Sequence, residues 1–310
     1  MRDRRVVITG GLGFIGSHLA ERLAGDNEVT IVDDLSTGRI ENVGHLASKG
    51  IQVVRASVTS PEIWRAFEGR DYVFHLAALP SVPRSIADPA RSHEVNVNGT
   101  LNVLIAARDC GIKKVAFASS SSVYGDTPVL PKVEDMPLCP TSPYGVTKAV
   151  GEMYCKVFQE VYGLKAVSLR YFNVFGPRQD PNSEYAAVVP KFIAAMMQGR
   201  QPVVYGDGEQ SRDFTFVRHA ADATIKACES GASGAFNVAC GRSITINGLV
   251  RAINEALGKE IRPLYVEPRR GDIRHSLADI SRAGCFHYEP SGDFREELTE
   301  TIRSFGTCLN

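Results

Sequence analysis

The stretch Val6-Val7-Ile8-Thr9-Gly10-Gly11-Leu12-Gly13-Phe14-Ile15-Gly16, followed by Ser17-His18-Leu19, decides the fold of this chain. A β-branched run leads straight into four glycines within seven residues, and an apolar helical pattern begins at once behind them. That order reads as strand, tight turn and helix. Glycine permits the turn and lets backbone N–H groups approach a ligand, while the helix N-terminus favours negative charge. Gly10, Gly13, Phe14, Ile15 and Gly16 are therefore expected to cradle the pyrophosphate of a dinucleotide.

The next apolar run, 28–33, ends in Asp33. A carboxylate about 20 residues past such a loop can accept hydrogen bonds from the adenosine ribose and repels a 2′-phosphate. Asp34 adds a second negative charge and Arg39 is the nearest cation, so the loop is expected to hold NAD rather than NADP. Further outward, short β-branched runs at 5–9, 28–33, 51–55, 72–76, 114–119 and 165–172 alternate with helical patterns at 13–24, 60–67, 89–110 and 143–162. Ser60-Pro61 puts a capping hydroxyl before a proline at a first helical position. This alternation predicts an α/β fold, a doubly wound parallel Rossmann sheet.

After Phe172 the pattern breaks into Pro/Gly-punctuated pieces: helix over 186–198, strand and helix over 214–229, strand over 235–238, and helices over 247–257 and 293–305. We expect a NAD-binding domain at 1–172, with parts of about 213–240, and a smaller, partly interleaved α/β substrate domain at 173–212 and 241–310.

A second constellation lies mid-chain. The run 115–118 opens into Ser119-Ser120-Ser121-Ser122-Val123-Tyr124-Gly125, and Tyr144-Gly145-Val146-Thr147-Lys148 starts a helix. Tyr144 and Lys148 share one helical face by their i, i+4 spacing. A phenol is a poor base at neutral pH, so a neighbouring ammonium and a positive nicotinamide are needed to favour its phenolate. A serine hydroxyl at the carboxyl end of a strand can hold the reacting oxygen in line, and Ser120 and Ser121 are the candidates.

Bulk properties exclude several classes. The 310 residues carry 35 basic and 35 acidic side chains, so no overall field favours nucleic acid or an anionic membrane. The seven cysteines are scattered and never spaced C-x-x-C, which argues against a disulfide framework or a zinc site. His93-Glu94 lacks a second histidine at helical spacing, and no metal is expected. The first strand begins within a few residues of Met1, and no apolar run reaches the ~18 residues of a membrane span, so a cytoplasmic location is expected.

With these residues in hand, the chain resembles the extended short-chain dehydrogenase/reductases, and within them the UDP-hexose 4-epimerases. The resemblance is carried by TGGLGFIGS at 9–17, HLAA at 75–78, NVNGT at 96–100, SSSSVYG at 119–125, SPYGVTK at 142–148 and LRYFNVFGPR at 169–178. It implies Ser120 as the hydroxyl partner, Tyr144 as the base, and Lys148 as its activator and a ligand of the nicotinamide ribose. It also implies cofactor contacts from Leu76, Ala77, Ala78, Asn96 and Tyr171, and from Ser57 and Val58, which stand where many relatives have Asp-Ile or Asp-Val. A lysine that some epimerases place near the nicotinamide is Pro80 here.

Sugar 4,6-dehydratases of this family carry Asp-Glu just after the hydroxyl residue, and UDP-glucuronate decarboxylases a glutamate. Ser121-Ser122 stand there instead, leaving no local acid for elimination, so the resemblance implies C4 epimerisation through a transient 4-keto sugar with tightly bound NAD. For the UDP-sugar it implies Ser81, Ser121, Ser122, Asn173, Val188, Arg212, Arg269, Asp272 and Ser276. Guanidinium forks suit diphosphate oxygens, and Asp272 suits ribose hydroxyls. The small Ser276, together with similarity of 81–85 and 178–182 to UDP-N-acetylglucosamine 4-epimerases, implies room for an acetamide. Family likeness further suggests a homodimer through the helices at 89–110 and 143–162. The rival readings are another NAD-dependent nucleotide-sugar dehydratase or oxidoreductase, and a non-catalytic dinucleotide sensor.

Overall fold

The computed structural model describes residues 1–183, 186–268 and 273–306. Seven strands form one parallel sheet: β1 (Arg5–Thr9), β2 (Glu28–Asp33), β3 (Gln52–Arg55), β4 (Tyr72–His75), β5 (Lys114–Ser120), β6 (Ala166–Tyr171) and β7 (Gly234–Val238). Their spatial order is β3-β2-β1-β4-β5-β6-β7. The chain winds outward from β1 to β3, returns to the middle at β4 and winds the other way. That reversal opens a crevice beyond the carboxyl ends of β1 and β4.

Both sheet faces are covered, which is why the central strands read as unbroken apolar runs. Val6 and Ile8 face one core layer with Leu19 and Leu23 of α1 (Phe14–Leu23), while Val7 faces the other. In β5, Ala116 and Ala118 share the first layer, and Val115 and Phe117 share the second. The period of two along each strand thus sorts side chains between the layers.

The short α2 (Val82–Ala87) precedes α3 (89–109), a continuous helix whose residues Glu94–Asn98 form a π turn. Next comes α4 (Pro143–Tyr162), capped by the Ser142 hydroxyl, which accepts the Gly145 N–H at 3.1 Å. A methyl group at Gly151 would meet the Phe117 ring at 2.4 Å, so α4 lies directly on β5. The remaining α-helices among the described residues are α5 (Val188–Met197), α6 (Val217–Glu229), α7 (Ile246–Leu257) and α8 (Phe294–Gly306). Of these, α6 covers the first sheet layer through Ala220, Ala223 and Ala227. Phe175, Phe192, Phe214, Phe216 and Phe294 build a separate aromatic core beside the sheet.

The structure differs from the sequence expectation at 60–67, where only Ile63–Ala66 forms a single 3-10 turn. Gly69, with φ of +67°, follows too soon for a helix to repay its nucleation. The strand expected at the start of 214–229 is present as Thr215–Phe216 and pairs with the unforeseen Val174–Phe175, and two further short pairs were not foreseen: Ser211–Arg212 with Ile244–Thr245, and Val203–Tyr205 with Leu264–Val266. Two or three residues carry no readable period.

Candidate active site

Two clefts open at the carboxyl ends of the strands. The first encloses about 980 Å³, part of it open to solvent, between the glycine loop, Asp33 and Asp34, the wall at 76–80, and Tyr144, Lys148 and Tyr171. Its floor is backbone. A Cβ at Gly16 would lie 2.2 Å from the Gly10 carbonyl oxygen, and one at Gly10, where φ is +72°, would lie 2.7 Å from the Ala77 nitrogen. No side chain caps the N-terminus of α1, so its first-turn N–H groups at Phe14, Ile15 and Gly16 border the cleft. Asp33 closes the far end, accepting N–H groups from Leu12 at 3.0 Å and Leu35 at 2.9 Å. Burial raises its carboxyl above the usual value, and those two N–H groups oppose the rise. A backbone cradle at a helix N-terminus with a carboxylate at the next strand end fits a dinucleotide without a 2′-phosphate.

At the near end, α4 delivers Tyr144 and Lys148 to the cleft. Lys148 is buried, donates to the Ala118 carbonyl at 2.7 Å, and stands 5.0 Å from the Phe117 ring centroid and 5.9 Å from that of Tyr144. Burial lowers its ammonium from 10.5 to about 8, with the carboxylate of Glu152 working against the drop. Burial also raises the Tyr144 phenol, and a hydrogen bond from Ser120 partly offsets this. Ser120 is the last residue of β5 and turns the chain, accepting the Ser122 N–H at 3.1 Å. Thus three chemically suited side chains meet where the strands end.

The second cleft, about 930 Å³, is lined by Asn173, Gln179, Val188, Lys191, Tyr205, Gln210 and Arg212 among others. It adjoins the first at the end of β6: Tyr171 faces one cleft and Asn173, two residues on, faces the other. Asn173 has φ of +36° and donates to the Asp213 carbonyl at 3.1 Å. Gln179 lines the cleft, and its Oε1 is buried with no hydrogen-bond partner among the described residues. Guanidinium and ammonium groups on this wall suit a ligand carrying phosphates.

A family model described as the NAD dependent epimerase/dehydratase family matches residues 6–239. The chain belongs to this family. A UDP-N-acetylglucosamine 4-epimerase from Methanobrevibacter ruminantium, solved with UDP-N-acetylmuramic acid, is 48% identical with a TM-score of 0.97, over 99% of this chain and 100% of that one. A UDP-glucose 4-epimerase from Thermotoga maritima, solved with UDP-glucose, is 37% identical with a TM-score of 0.94 over 99% and 100% of the two chains. A UDP-glucose 4-epimerase from Mycolicibacterium smegmatis is 38% identical over 97% of this chain and 98% of its own.

Within this epimerase/dehydratase fold, the site residues named from sequence fall into three groups. Gly10, Gly13, Phe14, Ile15, Gly16, Asp33, Val58, Leu76, Ala77, Ala78, Tyr144, Lys148 and Tyr171 line the first cleft, and Asn173, Val188 and Arg212 line the second. Others stand behind the walls. Ser57 binds Thr59, at 2.8 Å between their hydroxyls. The side chain of Asn96 is buried against Leu79 and Thr147. Ser81, with φ of +104°, caps α2. Ser121 and Ser122 form the 3-10 turn below Ser120, and Ser276 is buried with its N–H donated to Ser211. Arg269 and Asp272 lie outside the described residues.

Sequence reasoning missed the support beneath this site. Glu152, one turn beyond Lys148 on α4, accepts from Ser119 and is doubly bonded to Arg170 on β6 at 2.7–3.2 Å. Arg170 also donates to the Tyr124 hydroxyl at 2.8 Å, which donates to Asn237 at 2.6 Å. The pair is almost wholly buried, so removing either partner strands a charge at a cost of about 3–5 kcal/mol. The i+8 spacing of Glu152 from Tyr144 was the available signal. Gln179 was covered only by the likeness of the stretch 178–182, and Lys191, Tyr205 and Gln210 offered no signal.

Proposed function

We propose that this protein interconverts the two configurations at C4 of a UDP-hexose, accepting N-acetylated and plain sugars and retaining NAD between turnovers. What supports the reading most is that Tyr144 and Lys148 line the dinucleotide cleft while Ser120, at the end of β5, hydrogen-bonds Tyr144, with Ser121-Ser122 rather than carboxylates behind Ser120. In this reading residues 1–172 with 213–240 serve the cofactor and the remainder serves the UDP-sugar. Gly10, Gly13 and Gly16 with the α1 terminus hold the pyrophosphate, Asp33 the adenosine ribose, and Tyr144 and Lys148 the nicotinamide ribose. Bound NAD supplies a hydride acceptor that gives the hydride back.

The protein's own chemistry is proton handling and orientation. Tyr144 takes the proton of the sugar 4-hydroxyl, Ser120 fixes that oxygen by a hydrogen bond, and the Lys148 ammonium stabilises the phenolate. The sugar, oxidised to the 4-ketone, turns about its diphosphate link while Asn173, Val188 and Arg212 keep the nucleotide half still. Tyr144 then returns the proton as C4 is reduced on its other face. An elimination would need a further acid beside C5 and C6, and the serines after Ser120 provide none.

The 48% identity to the UDP-N-acetylglucosamine epimerase and the small side chain of Ser276 favour the N-acetyl sugars. We assign the chain to the cytoplasm on its six described thiols, all free. Among the described residues no helix is long and apolar enough to cross a membrane. A homodimer through α3 and α4 is proposed on the exposed apolar stripe of Ile105, Val146, Met153, Val157 and Val161.

The test is to incubate the purified protein, without added cofactor, with UDP-N-acetylglucosamine and separately UDP-glucose, and follow the sugars by NMR. Galacto-configured products support epimerisation with retained NAD. If neither sugar changes even with NAD supplied, or free NADH accumulates in step with substrate loss, the reading fails.

A further inference from the structure

A row of polar side chains runs through the apolar layer between the glycine loop and the catalytic helix. Thr9, the last residue of β1, is 0% exposed, His75 at the end of β4 is 1%, Thr100 and Asn96 on α3 are 1% each, and Thr147 on α4 is 3%. Nδ1 of His75 lies 2.7 Å from Thr9 Oγ1 and Nε2 lies 2.9 Å from Thr100 Oγ1. Thr100 Oγ1 donates to the Asn96 carbonyl at 2.6 Å. Asn96 Nδ2 donates to Thr147 Oγ1 at 3.1 Å, and Thr147 Oγ1 donates to the Tyr144 carbonyl at 2.7 Å.

The direction of every proton follows. Thr100 has a single hydroxyl proton, spent on Asn96, so it accepts at its other side and His75 carries its proton on Nε2. The bare Nδ1 then accepts the Thr9 hydroxyl proton, which leaves Thr9 Oγ1 to accept the Ala77 N–H at 3.4 Å. Asn96 is fully used as well, since its Oδ1 accepts the Leu79 N–H at 2.7 Å and its second amide proton goes to the Leu79 carbonyl at 3.2 Å. Burial, with the nearby Lys148 charge, pushes His75 down to about 3, so the ring stays neutral and this pattern persists across physiological pH.

The ends of this row are what give it a consequence. Thr9 precedes Gly10, and Ala77 and Leu79 belong to the opposite wall of the first cleft. At the other end lies the first turn of α4, where Tyr144 sits. The π turn at Glu94–Asn98 is what places Asn96 between Leu79 and Thr147 while Thr100 still reaches back to His75. A satisfied buried polar network fixes one geometry among several that an apolar core would tolerate.

We propose that His75 is a positioning residue, the centre of a buried hydrogen-bonded thread that couples the spacing of the glycine loop to the seat of Tyr144. The thread rests on the reading of Tyr144 as the base and adds to it that loop and helix move as one unit. Its role is therefore visible as an energetic coupling between residues that do not touch.

The experiment is a double-mutant cycle on the full chain with NAD bound, using Thr9→Val and Thr147→Val, each removing a hydroxyl at nearly constant shape. Turnover, KM and thermal midpoint are measured for each protein. A coupled thread lowers kcat by about threefold and tenfold in the single variants and only about tenfold in the double, with KM little changed, because the second break finds the thread already cut. Losses that multiply to about thirtyfold, or thermal midpoints that fall while kcat holds, overturn the proposal and leave a merely structural core network. His75→Gln, which keeps polar atoms at both ends, should recover more kcat than His75→Leu; equal loss in the two counts against it. NAD dissociation is read in parallel, so the result does not depend on the sugar. Thr147→Val should speed release from a loop that Thr147 does not contact, and an unchanged rate counts against the coupling even where the epimerase reading itself has failed.

Discussion

The two clefts adjoin at the end of β6, yet they are made of different material. The cofactor cleft is bounded by strand ends locked in a seven-stranded parallel register and by a glycine loop whose ligand groups are backbone N–H. The substrate cleft gathers its polar side chains from five stretches: Asn173, Gln179, Lys191, Tyr205, and Gln210 with Arg212. The flanking strands Val203–Tyr205 and Ser211–Arg212 are only three and two residues long. A backbone site recognises any dinucleotide of the right shape, whereas a side-chain site can be retuned one residue at a time. In the proposed reading the first cleft therefore holds the constant partner and the second the variable one.

The largest effect expected from this contrast is at Gly16. Gly16→Val would place Cβ 2.2 Å from the Gly10 carbonyl, so the loop must open and NAD should be lost from the purified protein, with turnover falling below detection. Absorbance and extraction of bound nucleotide measure it. A Gly16→Val protein that keeps stoichiometric NAD would show that the backbone cradle is not what holds the cofactor.

In the substrate cleft, deletion should be graded rather than total. Arg212→Ala removes one charge-assisted contact among several, and at about 1.5–3 kcal/mol for such a bond KM should rise roughly 10–100-fold with kcat little changed. Steady-state kinetics on the better of the two sugars reads it, and retained NAD serves as the internal control. A fall in kcat at constant KM would mean that Arg212 acts on the reacting sugar and not on the nucleotide.

The same contrast explains what could be read from the sequence. The parallel sheet, the long helices at 89–110 and 143–162, the glycine loop and the pairing of Tyr144 with Lys148 all follow from periods and spacings that operate within one or two elements. Asp33 was legible because a strand end carries it to a fixed distance from the glycines. By contrast, the wall formed by Gln179, Lys191, Tyr205 and Gln210 is drawn from two irregular connections, one helix and the last residue of a three-residue strand, brought together by tertiary packing alone. Asn96 shows an intermediate case. Its position in α3 was found, but the π turn that directs its side chain away from the cleft and into Leu79 and Thr147 leaves no mark in a 3.6-residue pattern. His75 and Glu152 were passed over because a buried polar residue on an apolar strand or helix looks like an ordinary exception until its partners are seen.

The smallest effect is also the one that separates the clefts without a mutation. Lys148 is lowered to about 8 by burial, so raising the pH through that value removes the ammonium proposed to favour the Tyr144 phenolate. The sign is loss of activity on the alkaline side: kcat should halve near pH 8 and continue to fall above it. His18 and His75, lowered to about 4 and about 3, carry no charge anywhere in this range and add nothing to the profile. The second cleft is lined by Arg212 and Lys191, with no histidine among its described lining residues. Turnover should therefore bend with pH while KM for the UDP-sugar stays level between pH 7 and 8.5, above the value of about 6 to which burial raises Asp213, as measured by initial rates in buffers of constant ionic strength. A KM that rises in step with the fall in kcat would place the titrating group in the nucleotide site and dissolve the division of labour between the two clefts. An alkaline limb that moves upward in Lys148→Arg, whose side chain does not deprotonate, would tie the profile to this one ammonium.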